Sequence, residues 1–522
     1  CRRHPLAGEM GRWRAEERVP VWPQPRTVAT GSGTAVVTPR DGLIVHSSGC
    51  CAPLLAEAIE RYLRIIFWVP TSGALPYLRV RTPGGRSDAR PPELCDAGGD
   101  PASFVQLRIA VDEAEESPLQ LGVDESYSLS LSDGGGTLTA PSVWGALRGL
   151  ETFAQLVQWD GDRYVLCGLP LSVSDRPRFA WRGLLIDTAR HYLPLPSLLA
   201  MLDAMAALKL NTLHWHLTDA HSFPLRLRGA HTARLAAGAL HASHVYTAAD
   251  LRAVVAAARL RGVRVVPELD MPGHTASWGL ATPELVVACP ARVAADSEGL
   301  EHGANKVALH PLREEVHQLV AALLAELAPI FPDDFFHLGG DEVDEECWLS
   351  DAELKAWAVQ AARRRPHVPW KVQLQVLFTR RVVSELGRHG KRPLLWDEAL
   401  EMGPLLPEGV TLDVWRDWLR DPSCPEGYCP EGELREQALR TGRGVVHSAL
   451  AWYLDLPHNT WRSMYEVELP RAPPAALLGG EASSWGEHCD ATNLQQVSTC
   501  LLSYLPTYLP TYLGSSATRP TC

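Results

Sequence analysis

The 522-residue chain contains no apolar run near the roughly 20 residues that a bilayer-spanning helix needs, so a protein without a transmembrane segment is expected. It also lacks a concentrated basic stripe. Its 49 Lys and Arg are outnumbered by 61 Asp and Glu, for a formal charge of -12, which argues against a nucleic-acid surface and for a neutral or weakly charged substrate. No Asn-x-Ser/Thr triplet occurs among its few asparagines, so nothing here points to glycan-dependent delivery. No signal-like apolar segment follows Cys1; the true N-terminus and its targeting signal are expected to lie outside this chain.

What is present is ordinary for a globular protein, with 46% apolar and 21% charged residues. The length exceeds one usual core, which predicts a large domain and a smaller one. Twelve cysteines, several in polar loops, favour an oxidising compartment.

Residues 1–20 read as a leader or an artefact of the gene model. Residues 21–175 show short apolar strands at Gly42–His46, Phe104–Val111, Ser126–Leu131 and Tyr164–Leu166. Helical spacing covers Leu54–Phe67 and Ser142–Gln158. This predicts a compact α+β domain, with a linker at Asp175–Phe179, where Pro177 disfavours helix before it. Residues 176–495 alternate strand and helix. The eight expected strands are Gly183–Thr188, Asn211–Leu217, Val263–Asp270, Phe335–Gly340, Pro393–Asp397, Thr411–Trp415, Gly444–Ala449 and Ala476–Glu481. Helix Ala248–Arg261 has Thr247 to cap it and Gly262 to stop it. The fold class is therefore α/β, a (β/α)8 TIM barrel preceded by a smaller α+β domain. Residues 496–522 repeat a Tyr-Leu-Pro-Thr unit and carry no closing amphipathic helix. They are expected to be an unusual substitute for that helix or an error of splicing or assembly.

In a TIM barrel, chemistry belongs at the C-terminal ends of the strands. Arg190, Asp219, Asp270, His274, Asp341, Glu342, Trp396, Trp415, Tyr453 and Trp485 all fall at or just beyond such ends. In His337-Leu-Gly-Gly-Asp-Glu, two small residues open the strand tip and adjacent carboxylates follow. Neighbouring carboxyls can have their proton affinities pushed apart, as acid-assisted glycoside cleavage requires. A random Asp-Glu pair is usually a solvated loop; the strand end and the glycines favour a site. A lone barrel tryptophan is usually core, but four aromatics on one rim suit the apolar face of a sugar ring. Arg190 and Glu487 can hydrogen-bond sugar hydroxyls, their plainer reading being a surface ion pair. His214 and His216 share one strand face, which raises a metal-hydrolase alternative completed by Asp270 and His274. Against it, Asp219 marks the strand terminus three residues beyond His216, so the pair sits lower, as satisfied core histidines do.

Arg182-Gly-Leu-Leu-Ile-Asp-Thr-Ala-Arg-His-Tyr-Leu-Pro, His214-Trp-His-Leu-Thr-Asp, Glu268-Leu-Asp-Met-Pro-Gly-His, His337-Leu-Gly-Gly-Asp-Glu-Val and Gly479-Gly-Glu-Ala-Ser-Ser-Trp-Gly-Glu together resemble the family 20 glycoside hydrolases, the animal lysosomal β-hexosaminidase subunits in particular. The resemblance runs from about Val21 to Asn493 and includes Val143-Trp-Gly-Ala-Leu-Arg-Gly-Leu-Glu-Thr-Phe. It implies a retaining exo-β-N-acetylhexosaminidase in which the substrate's own acetamido oxygen attacks the anomeric carbon, an exception to the two-carboxylate rule. By that resemblance Glu342 is the general acid/base, and Asp341 orients the acetamido group and stabilises the charge on its nitrogen. Tyr453 hydrogen-bonds the acetamido oxygen, while Trp396, Trp415 and Trp485 enclose the group. Arg190 and Glu487 hold the 3- and 4-hydroxyls, and Asp219 and His274 support the site. No metal or other cofactor is implied.

Leu454-Asp455-Leu456 is similar to the β-type subunit, where the α-type has Asn-Arg and takes anionic substrates; Asp455 predicts a preference for neutral ones. The resemblance further implies disulfides Cys51–Cys95 and Cys289–Cys347, a lysosomal or secreted location, and a homo- or heterodimer with a related subunit. Cys424 and Cys429 occupy an atypical loop and are expected to pair locally. The alternative from a different class is a catalytically impaired or truncated subunit that binds glycans without turnover.

Overall fold

The computed structural model describes residues 20–37, 44–48, 52–67, 102–160, 163–296, 303–416, 419–420, 428–429, 433–449, 452–456, 459, 467, 469–470, 472–487 and 489–493. The expectations for residues 1–19, for Cys51–Cys95, for the Cys424–Cys429 loop and for residues 496–522 lie outside these. Two compact units emerge among the described residues, one of those up to 118 with 123–178, the other of 119–122 with those between 179 and 493.

The first unit is built on an eight-stranded sheet. Its main path runs Ile44–Ser48, Gln106–Val111, Gly135–Ala140, Tyr127–Ser132, Tyr164–Asp175, Thr27–Val37, Ala102–Phe104. Strand Tyr127–Ser132 shows why it forms: Tyr127, Leu129 and Leu131 are buried and the serines between them exposed, the period-two pattern of a half-buried strand. Helix Val143–Leu156 lays Trp144, Leu147, Leu150 and Phe153 into the core beneath this sheet, and helix Ala52–Ile66 packs beside it. Ser142 caps the former by accepting from the Gly145 amide, a device worth about 1 kcal/mol.

Several elements depart from expectation, among them the short strands Ala102–Phe104 and Gln158–Trp159. Thr27–Val37 and Gly135–Ala140 are strands with no counterpart in the sequence reading, and Tyr164–Leu166 is only the head of the strand Tyr164–Asp175. Gly31 and Gly33 obscured the first. They sit at a register shift against Leu169, where a Cβ on Gly31 would lie 2.4 Å from the Leu169 carbonyl oxygen. The residues that allow the close approach also break the alternation that identifies a strand.

The second unit is a closed barrel of eight parallel strands in chain order: Trp181–Asp187, Thr212–Thr218, Arg264–Leu269, Phe335–His337, Arg392–Trp396, Thr411–Val414, Val445–His447 and Leu477–Ser484. All eight expected strands are present, shifted by a few residues at their ends. The helix after the third strand's predecessor starts as read, with Thr247 and Asp250 forming a reciprocal capping box before Ala248–Arg259.

Inside the barrel, Trp181, Val266, Phe335, Leu394, Val446 and Leu478 form an apolar plug. Two residues further along strands three, four and five the inward positions become Glu268, His337 and Trp396. Here His214, Glu268, His337, Asp413 and Glu481 are all fully or nearly fully buried. Such a layer persists only if its polar atoms are paired. Glu268 receives the His216 Nδ1 proton at 2.5 Å and the Trp396 indole N–H at 3.0 Å, and lies 3.0 Å from His214 Nε2. Glu481 takes the other side of His214, at 2.7 Å from Nδ1, and the Trp181 indole N–H at 2.9 Å. This polar floor supports the mouth above it.

Candidate active site

The fourth strand stops at His337 and the chain turns through Leu338-Gly-Gly-Asp-Glu. The turn needs left-handed backbone, with φ of 65° at Gly339 and 101° at Gly340. A Cβ on Gly339 would come within 1.8 Å of Asp270 Oδ1, so no larger residue fits. That same oxygen accepts the Gly340 amide at 3.2 Å, which fixes the tip of strand four against the end of strand three.

Beyond the glycines, Asp341 points into the barrel mouth with its side chain 13% exposed, and Glu342 stands half-exposed at 47%. Glu342 has φ of 46° and His274 of 55°, strained positions for residues with a Cβ that persist where surrounding structure fixes them. His274 Nε2 lies 3.4 Å from Glu342 Oε2 and 3.7 Å from Asp341 Oδ2, while its Nδ1 is 3.2 Å from Asp219 Oδ2. Burial opposes charge on His274, but Asp219, Asp270 and Asp341 more than offset it and hold the imidazolium well above the usual histidine range. Burial first, then the charges of Asp270 and Glu342, raises the Asp341 carboxyl well above the usual carboxylate range, with His274 opposing. Burial likewise pushes Asp270 up to about 7. Asp341 Oδ1 is buried and has no hydrogen-bond partner within the described chain.

Asp219 is the hub of the neighbouring wall. Fully buried, it meets Arg190 Nη2 at 3.0 Å and His216 Nε2 at 3.0 Å as well as His274. Its burial cost is outweighed by Arg190 and then His274, which hold it well below the usual carboxylate range. Arg190 also pairs with Asp187 at 3.2 Å and lies 3.6 Å from the half-exposed Glu487. Asp187 aims the arginine by accepting the Ala189, Arg190 and Gly486 amides. Arg190 is thus buried, unlike a surface ion-pair residue, and its guanidinium sits 5.1 Å over the Trp485 ring.

Trp485 joins the aromatics: its ring centre is 6.0 Å from Trp396, 6.1 Å from Tyr453 and 5.2 Å from His216. Tyr453 reaches the rim through a bridge to Ser483 beside the eighth strand, and burial keeps its phenol protonated, a hydrogen-bond donor. Trp396 is almost wholly buried and packs at a tilt against His337, ring centres 4.5 Å apart, so it is floor rather than wall. Trp415, half-buried, donates its indole N–H to Glu398 at 3.1 Å. Burial, and then the charge of Asp341, raises Glu398 well above the usual range, which couples Trp415's anchor to the acid pair.

The structure therefore gathers Arg190, Asp219, His274, Asp341, Glu342, Trp396, Tyr453, Trp485 and Glu487 around one mouth, with Trp415 joined through Glu398. Cys289 and Cys347 are disulfide-bonded, tying the loop after Glu342 to residue 289. The sequence reading gave no role to Glu268, Asp187, Glu398 or Asp397. Their signal was present in Glu-Leu-Asp, Ile-Asp-Thr and Trp-Asp-Glu, each an acid beside a strand end. The metal alternative fares poorly by chemistry. Its His214 and His216 nitrogens already face Glu481, Glu268 and Asp219, and the donors near Asp219 already surround the cations Arg190 and His274.

Comparison with known proteins gives the same placement. Residues 179–498 match the model described as glycosyl hydrolase family 20, catalytic domain, and residues 21–156 one described as beta-acetyl hexosaminidase like. The chain is 34% identical to the beta-hexosaminidase subunit beta of Mus musculus over 91% of its own length and 83% of that protein. It is 32% identical to the subunit alpha of Rattus norvegicus, covering 91% and 84%. Among solved structures, a Flavobacterium johnsoniae chitobiase superposes with a TM-score of 0.74 at 26% identity, over 94% of this chain and 69% of that one.

Proposed function

Since the chain belongs to glycosyl hydrolase family 20, we propose that it is a retaining exo-β-N-acetylhexosaminidase that removes terminal β-linked N-acetylglucosamine or N-acetylgalactosamine by substrate-assisted catalysis. The observation that supports this most directly is Asp341 Oδ1, a buried acceptor without a partner beside a half-exposed acid. An acetamido N–H is the donor it lacks. The acetamido oxygen then forms its bond to the anomeric carbon as the glycosidic bond breaks, and Glu342 gives its proton to the departing oxygen. The positive charge on the cyclic oxazolinium falls next to Asp341, so an unfavourable lone carboxylate becomes a favourable ion pair only as the reaction proceeds. Water then attacks the same carbon, yielding a proton to Glu342, and the configuration is retained.

The Tyr453 hydroxyl donates to the acetamido oxygen, and Trp485, Trp415 and the floor residue Trp396 enclose the methyl group. Arg190 and Glu487 take the 3- and 4-hydroxyls, while Asp219 holds His274 charged and His274 presents that positive charge to the acid pair. Neutral substrates are preferred, because Asp455 stands at the rim with its carboxylate on the Trp485 amide at 3.3 Å. The same reading makes residues 21–175 and 176–495 the two domains, assigns the chain to a lysosomal or secreted location and has it dimerise with itself or a related subunit. A thiazoline mimic of the cyclic intermediate tests the central claim. It should bind competitively at the Asp341 mouth and lose at least about 100-fold in affinity in Asp341→Asn, the low end of losses for a charge-stabilising group. Equal binding by both proteins would refute it.

A further inference from the structure

We propose that His310, Asp351 and Glu353 form a divalent-metal site of the zinc type, on the outer flank of the loop that follows the catalytic strand. His310 follows the two-residue strand Ala308–Leu309, which pairs antiparallel with Val286–Val287, and its amide is held by the Leu285 carbonyl at 2.9 Å. The side chain is completely buried, and among the described residues neither ring nitrogen makes a close hydrogen bond, Nε2 meeting carboxylates only at the outer limit of hydrogen-bond distance. A buried imidazole without a partner is costly, because neither its donor nor its acceptor recovers the bonds lost from water. The carboxylate oxygens recorded facing it are Asp351 Oδ1 at 3.5 Å and Glu353 Oε2 at 3.6 Å from Nε2.

These separations are long for a hydrogen bond and suited to something between the atoms. Around a tetrahedral zinc with bonds of about 2.1 Å, neighbouring ligand atoms stand about 3.4 Å apart. The contrast within the same chain is His216, whose nitrogens sit 2.5 and 3.0 Å from their carboxylates, closed hydrogen bonds with no space for an ion. One imidazole and two carboxylates are a zinc-like donor set, and three ligands leave a fourth position for water. Glu353 is 63% exposed and Asp351 24%, so an ion can enter from solvent.

Burial, aided by the Arg313 charge, moves His310 below the usual histidine range. Asp351 also caps helix Ala352–Arg364 by accepting the Glu353 and Leu354 amides through Oδ1, which places the helix's positive end near the ion and moderates affinity. The oxygen that faces His310 is therefore one the metal would share with these amides. A bound ion would join the 308–310 segment to residues 351–353, while the Cys289–Cys347 disulfide secures the intervening loop from another side. The role is structural, since none of the three residues belongs to the catalytic machinery.

The test uses the full chain stripped with chelator, then dialysed against micromolar zinc at neutral pH. The proposal expects wild type to retain one more zinc per chain than His310→Asn and to bind it at least 10-fold more tightly than Glu353→Gln. It also expects a zinc-dependent rise in Tm in wild type that is lost in Glu353→Gln, and a tetrahedral-type visible spectrum with cobalt(II). Glu353 is on the surface, so that variant reports even if replacing His310 prevents folding. Absence of a zinc-dependent Tm rise in wild type, or the same rise and stoichiometry in Glu353→Gln, would overturn the proposal.

Discussion

Glu342 and His274 both hold left-handed backbone, and their side chains meet at 3.4 Å across the mouth, each conformation kept by its surroundings rather than by its own preference. If Glu342 is the proton donor, Glu342→Gln keeps shape and polarity and removes only the transferable proton. The expected outcome is a fall in kcat of about 10²- to 10⁴-fold on an N-acetylglucosaminide with a poor leaving group, with KM changed little. The fall should be smaller with a nitrophenol, which departs without help. A kcat equal to wild type on the poor leaving group would remove Glu342 from the mechanism. Asp270 carries a second expectation, about stability. Its folded carboxyl is pushed up to about 7 by burial, whereas unfolded aspartate titrates near about 3.9. Between those values the folded state holds the extra proton, so this contribution is full below about 4 and is lost as pH rises toward 7. Asp219 and Glu268, both held low in the fold, work the other way and lose their contribution as pH falls below about 4. The Tm should therefore peak on the acid side of neutrality. Asp270→Asn, which keeps the acceptor for Gly340 but cannot ionise, should flatten the decline between pH 5 and 7.5, as calorimetry across that range can measure.

At the scale of elements, the loop between strand four and helix Ala352–Arg364 carries both acids and is fastened by Cys289–Cys347, 58 residues apart. Closing a loop of that length removes unfolded-state entropy worth about 4 kcal/mol in the chain-entropy model. Cys347→Ala should lower stability by about that amount in chemical denaturation, and activity should fail at a lower temperature than in wild type. The barrel elements were legible in the sequence because each strand is a short apolar run ending in a chemically distinctive residue: Asp219 after Leu217-Thr218, Gly339 after His337-Leu338, Trp396 after Leu394-Leu395. The sheet of the first unit was less so. Thr27–Val37 is rich in threonine and glycine, and its strand character comes from pairing with Tyr164–Asp175 over almost its whole length, a long-range property that no local window contains. The same distinction holds in the site. Asp341, Glu342 and the tryptophans announce themselves by position. Glu268 gains its meaning only when barrel closure brings His214, His216 and Trp396 onto one carboxylate, Trp396 from 128 positions away.

At the scale of the whole molecule, this β-N-acetylhexosaminidase combines a formal charge of -12 with a mouth edged by Asp455, Glu487 and Glu342. A like-signed field around a partly enclosed site lowers the local concentration of anionic substrates and slows their entry, and salt screens it with a Debye length of about 10 Å at 0.1 M. Two contributions to substrate choice can thus be separated. Repulsion by the overall field fades with ionic strength, whereas repulsion by Asp455 at contact distance persists, because little screening solution lies between the groups. Neutral and 6-sulfated N-acetylglucosaminides should differ in kcat/KM by at least about 10-fold in favour of the neutral one at low salt, an interaction difference of about 1.4 kcal/mol. Raising salt from 0.01 to 0.5 M should narrow the gap without closing it. Asp455→Asn should remove most of what remains while leaving the neutral substrate within a few-fold of wild type. Faster hydrolysis of the sulfated compound at every ionic strength would show that neither the field nor Asp455 governs the choice.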